Sequence, residues 1–130
     1  GDSVPVGTPF AAAFESAAAR HGVPARLLAA VGWVESRYQT DAVSGAGAQG
    51  LMQLMPFVSE AYGVNPWDPV QAIDAAARIL SEHYTRFGSW DLALAAYNAG
   101  AGAVAAAGNQ PPSARVAGYV AAVHERMEQM

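Results

Sequence analysis

The chain has 130 residues, 52% hydrophobic and 14% charged, a composition that builds one compact domain and not a disordered tail. A net charge of −4 with no basic run argues against nucleic acid as a partner, and the lack of cysteine excludes disulfides, a thiol nucleophile and thiolate zinc sites. No apolar run is long enough to span a bilayer and no leader-like segment opens the chain, so no membrane insertion is expected of this segment.

Residues 1–7 read as a linker or chain edge, and residues 8–130 as the folded domain. Thr8-Pro9 predicts a helix start, with Phe10, Phe14, Ala17 and Ala18 at helical spacing and a stop at His21-Gly22. Pro24 opens a second helix whose apolar face is Leu27, Leu28, Val31 and Val34, and Glu35 stands at its C-terminal end. The glycines between 45 and 50 break the helix and allow a short irregular or hairpin segment over residues 44–55. A third helix runs from Pro56 to Tyr62 and ends at Gly63. Asp68-Pro69 caps a longer one carrying Val70, Ile73, Ala77, Leu80, Tyr84 and Phe87. Ser89 caps the next, from Trp90 to about Tyr97, and Asn98-Ala99-Gly100 turns the chain. A short piece over Ala103–Ala107 follows, and Ser113 caps a last helix with Val116, Tyr119, Val120, Val123 and Met127. The pattern predicts an all-α domain of about seven helices, rich in alanine, which lets helices pack closely.

Glu35 follows an apolar run, where desolvation and a helix C-terminus both raise a carboxyl pKa, as a general acid requires. Position alone fits a solvated surface glutamate better. Ser44 and Gln49 or Gln53 offer hydrogen bonds beside the glycine loop; Met52 and Met55 read as core before they read as ligand contacts. Gln53 sits among apolar residues, and a half-buried amide needs partners that a hydroxylated ligand could supply. Tyr97-Asn98 gives a ring and a polar tip at a helix end, with a core tyrosine and a C-cap asparagine as the plain alternative. Tyr119, on an apolar face, reads first as core. His21, His83 and His124 lie apart and read as structural or surface residues; no metal-ligand spacing and no serine elbow appears.

Taken together, Glu35-Ser36, Ser44, Gly50-Leu51-Met52-Gln53-Leu54-Met55-Pro56, Ala96-Tyr97-Asn98-Ala99-Gly100 and Tyr119-Val120 resemble the soluble lytic transglycosylase (SLT) catalytic domain, a relative of goose-type lysozyme. The resemblance covers about residues 10–127. It departs from the family at Thr40, where Pro or Ala is common, and at Arg115–Gly118, where some members carry an acid before the final Tyr-Val.

The resemblance implies a lysozyme-like fold and an enzyme with Glu35 as the sole acid/base. It places Ser44 near the reacting sugar, Gln53 and Met55 along the glycan, and the Tyr97 hydroxyl near Glu35. Asn98 would shape its turn, and Tyr119 would close the cleft. The implied reaction cleaves peptidoglycan between N-acetylmuramic acid and N-acetylglucosamine, leaving 1,6-anhydromuramyl ends. The alternatives are a hydrolytic lysozyme, with Asp41 as the first suspect for a second carboxylate, and an inactive glycan-binding module. No cofactor or metal is implied. The partner is the peptidoglycan glycan strand, met by a monomeric domain at the cell envelope, periplasmic or secreted, or on a virion.

Overall fold

Helix α2, Ala25–Ser36, runs through the middle of the fold with Leu27, Leu28, Ala29, Ala30 and Val31 buried. The other helices of this computed structural model, which describes residues 2–130, are α1 (Ala11–His21), α3 (Pro56–Tyr62), α4 (Pro69–Phe87), α5 (Trp90–Ala99), α6 (Ala101–Ala106) and α7 (Ala114–Gln129). The described residues form no strand, so the domain is all-α with seven helices. None of them is long and apolar enough to cross a membrane.

Packing follows the alanine content. α4 lies against α1 and α5, α2 against α1 and α7, and α5 also against α6 and α7. Ala72, Ala76, Ala77, Ala93 and Ala95 are fully buried along these seams, which lets helix axes approach to the short end of the usual 8–10 Å range. Phe14, Leu28, Ile73, Leu80 and Leu94 fill the space between them.

The caps read from sequence hold for α4, where Asp68 accepts from the amides of Val70 and Gln71, for α5 (Ser89 to Leu92) and for α7 (Ser113 to Val116). The start of α1 differs. Thr8 and Pro9 belong to a preceding turn in which the Thr8 carbonyl accepts from Ala11, and the helix begins at Ala11 after Phe10 in a left-handed conformation. Phe10 is therefore at the surface and not on a buried face. α5 runs two residues past Tyr97 to include Asn98 and Ala99, and α6 starts at Ala101, two residues early.

Of the segment read as a linker, Gly1 lies outside the described residues. Asp2 supplies the N-cap that Pro24 lacks: its carboxylate accepts from the Ala25 amide at 2.7 Å and the Arg26 amide at 3.4 Å. Val4 is buried, and its amide donates to the Glu15 carboxylate.

Candidate active site

Three segments, the last of them far along the chain from the other two, meet at the C-terminal end of α2. The first is the end of α2 itself. Ser36, buried, donates from Oγ to the Leu51 carbonyl at 2.7 Å. The second is the loop after α2, residues 42–55. It is tied to itself by bridges between Val43 and Gln49 and between Gln49 and Leu54, the hairpin-like segment expected from its glycines. Gly50 has φ +80°, and a Cβ there would lie 2.0 Å from the Pro66 carbonyl oxygen, so only glycine lets the loop seat against the Asn65–Pro66 turn. The third is the helical C-terminal part. The Tyr97 hydroxyl, on α5, donates to the Met52 carbonyl at 2.7 Å. Two consecutive loop carbonyls, Leu51 and Met52, are thus held by side chains from α2 and α5.

Glu35 lies one residue before that anchor. Burial raises its pKa from 4.5 to about 7, and the hydrogen bond from the Tyr119 hydroxyl, 2.9 Å from Oε2, works in the other direction. No other carboxylate contributes to the shift. Burial and the nearby Glu35 carboxylate in turn push the hydroxyls of Tyr97 and Tyr119 well above the usual phenol range, so both stay protonated donors. A carboxyl that titrates near neutral pH, held by one neutral donor, fits a general acid that must give up a proton and then take one back.

Beside this group a cleft of about 360 Å³ is lined by Gln53, Leu54, Met55, Phe57, Tyr62, His83, Tyr97 and Asn98, together with Gly100 and Ala101. Glu35 does not itself line it; Tyr97 is the shared wall.

The expected site residues divide as follows. Gln53, Met55, Tyr97 and Asn98 come together on the cleft wall. Tyr119 contacts Glu35, and Tyr97, expected near Glu35, lies close to it without hydrogen-bonding it: its hydroxyl donates to the Met52 carbonyl, and the direct contact to the acid comes from Tyr119. The Gln53 amide, expected to await a ligand, donates to the carbonyls of Ala42 and Gly50. With φ +55° it serves as a loop brace as well as a wall residue. Ser44 is exposed, and its hydroxyl accepts from the Ala48 amide within its own turn. Asn98 Oδ1 accepts from Arg115 at 3.1 Å, which fixes its side chain at the cleft. Met52 is core.

His83 and Phe57 are among the cleft residues that escaped the sequence reading. His83, read as structural or surface, lines the wall half-buried, and burial lowers its pKa so that the ring is neutral at neutral pH. Phe57 is 70% exposed on the same wall. The available signal was its place in the first turn of a short helix directly after Pro56, where a large ring has little core to enter.

The profile of the "Transglycosylase SLT domain" matches residues 12–117. The chain belongs to the SLT domain family. Its SLT domain is 42% identical over 86 residues to a transglycosylase of Enterobacteria phage PRD1, covering 65% of this chain and 32% of that protein. It is 40% identical over 99 residues to the membrane-bound lytic murein transglycosylase F of Stutzerimonas stutzeri, 69% of this chain and 20% of that protein. The fold superposes on the 70 kDa soluble lytic transglycosylase of Escherichia coli with TM-score 0.79 at 26% identity, covering 92% of this chain and 24% of the other. It superposes on an inactive glutamate-to-glutamine variant of Slt from Pseudomonas aeruginosa with TM-score 0.78 at 30% identity, with the same coverage. This SLT domain therefore spans a third or less of the length of these relatives.

Proposed function

We propose that this domain is a peptidoglycan lytic transglycosylase with Glu35 as its single acid/base. The observation that carries the reading is the pairing of Glu35, pKa raised to about 7, with the Tyr119 hydroxyl beside a cleft walled by Tyr97, Asn98, Gln53, Met55 and Phe57. The relatives named as murein transglycosylases support the same assignment.

In this mechanism protonated Glu35 gives its proton to the glycosidic oxygen between N-acetylmuramic acid and N-acetylglucosamine. The C1–O bond breaks, and the sugar's own acetamido group steadies the positive charge, as in substrate-assisted glycosidases. Glu35, now a carboxylate, accepts the proton of the C6 hydroxyl as that oxygen bonds to C1, which closes the 1,6-anhydro ring and restores the acid. No water is consumed, so no second carboxylate is required. The Tyr119 donor stabilises the carboxylate between the two transfers. Phe57 offers an exposed ring for the apolar face of a sugar, and the Tyr97, Asn98, Gln53 and Met55 wall holds the strand. The substrate places the domain's action at the cell envelope, outside the cytoplasmic membrane, or on a virion that must cross it.

Digestion of purified peptidoglycan followed by mass analysis tests the reading. Products one water lighter than reducing-end muropeptides are expected. Mostly reducing ends would instead mean hydrolysis, and no soluble product at all would mean a glycan-binding module. Glu35→Gln keeps the shape and removes the proton, so it is expected to abolish turnover while strand binding persists.

A further inference from the structure

Arg115 stands exposed in the first turn of α7, four positions before Tyr119. That spacing brings the two side chains onto one face of the helix, about 6 Å apart along its axis. From this face Tyr119 reaches Glu35, and Arg115 reaches Asn98: its Nη1 donates to the Asn98 Oδ1 at 3.1 Å. Asn98 lines the cleft. The guanidinium is therefore pinned where the cleft wall meets the helix that holds the acid. Its charge does not reach Glu35, whose pKa is set by burial and by Tyr119.

The other arginines are accounted for within the chain. Arg20 and Arg78 pair with Asp74 and Glu82, and Arg26 donates to the carbonyls of Ser3 and Met130. Arg37, Arg86 and Arg126 lie over aromatic rings. Among the described residues Arg115 has neither a carboxylate nor a ring, only its one hydrogen bond to a neutral amide. Helix stability does not call for it either, because a cation in the first turn opposes the helix dipole. A guanidinium with one donor engaged and the rest of its planar fork open suits a carboxylate.

The substrate of the proposed reaction carries one such group on the sugar ring itself. Muramic acid bears a lactyl ether at C3. Its carbonyl is a neutral amide while a peptide is attached and becomes a carboxylate when that amide is hydrolysed. An arginine pinned to a wall side chain meets a substituent of a ring lying in the cleft, whereas the carboxylates of an attached peptide hang farther out. We propose that Arg115 binds the free lactyl carboxylate of a muramic acid residue seated in the cleft, and so makes the domain prefer strands from which the peptide has been removed. The proposal rests on the glycan-cleaving reading. It also places the domain after an amide hydrolysis, the class of reaction that supplies this carboxylate.

The test measures KM on three preparations of the same strands: stripped by an amidase, stripped and then converted to methylamides, and peptide-bearing. The parent is expected to show a KM about tenfold lower on stripped than on methylamide strands, a ratio that shrinks as salt is raised. Arg115→Gln is expected to bring the ratio to about one, and Arg115→Glu to invert it, whatever common change either substitution makes through Asn98. A ratio near one in the parent, a ratio that survives in Arg115→Gln, or a loss confined to peptide-bearing strands overturns the proposal, the last by assigning the guanidinium to a peptide carboxylate. Calorimetric titration of the inactive Glu35→Gln variant with soluble stripped and methylamide oligosaccharides separates this claim from the catalytic one. Tighter binding of the carboxylate form is expected. Equal binding of both overturns the role of Arg115 and leaves the glycan reading standing; binding of neither removes the glycan reading as well.

Discussion

Glu35 and Tyr119 set each other's proton affinity. The hydroxyl donates to the carboxylate and lowers the Glu35 pKa, against the larger upward push of burial that leaves it at about 7. Removing the donor therefore raises the pKa further. Tyr119→Phe is expected to shift the alkaline limb of the kcat/KM profile to higher pH and to lower kcat at the optimum, because the carboxylate formed in mid-reaction loses its partner. A profile that shifts to lower pH would refute this role. The same residue carries a stability cost. A group whose folded pKa is raised favours the fold most below its unfolded value, near 4.5, and loses that contribution as pH rises through about 7. Glu35→Gln cannot ionise. It should match the parent in thermal stability near pH 4 and exceed it above pH 8 by on the order of 3 kcal/mol, as read by parallel denaturant titrations.

At the scale of elements, the loop over residues 42–55 has little apolar anchorage of its own beyond Leu51, Met52 and Leu54, and its place is set by hydrogen bonds to its carbonyls. Ser36→Ala leaves the buried Leu51 carbonyl without that donor. A loss of about 1–3 kcal/mol in stability is expected, together with a fall in kcat as the loop loosens beside Glu35; hydrogen exchange at Leu54, whose amide bonds Gln49, would report the loosening. Much of this was legible in the chain. Helix existence, the caps at Asp68, Ser89 and Ser113, and the glycine stops follow from local rules, and local rules operate within a turn of sequence. What was not legible depends on distant partners. Which of two tyrosines meets Glu35 is decided by how α5 and α7 dock, and no spacing rule carries that. The Gln53 amide looked unsatisfied because Ala42 and Gly50 reach it only after the loop closes. The start of α1 shifted because the Thr8 amide donates to the Pro5 carbonyl and its carbonyl accepts from Ala11, which draws Thr8 into turns ahead of the helix, not because the cap rule is wrong.

Across the whole molecule, two close approaches fix how the cleft is assembled. The loop meets the Asn65–Pro66 turn at Gly50, and α2 meets Phe14 and Met52 at Gly32, where a Cβ would lie 3.0 Å from the Phe14 ring. The first contact is with backbone, at a distance no neighbour can accommodate; the second is with side chains that need give only a few tenths of an ångström. Gly50→Ala is accordingly expected to cost more than about 2 kcal/mol and to lower Tm by several degrees, whereas Gly32→Ala should cost clearly less, a ranking checked by melting the two variants side by side. The bond between Tyr119 and Glu35 spans 84 positions of sequence. A chain still being synthesised presents Glu35 long before α7 exists to cover it, and an uncovered glutamate is an ordinary, ionised carboxylate at neutral pH. On the proposed mechanism, the proton that Glu35 gives would be held only once the last helix has packed against the second. A copy lacking α7 is expected to release no product from the wall, so that activity would report the docking of the last helix.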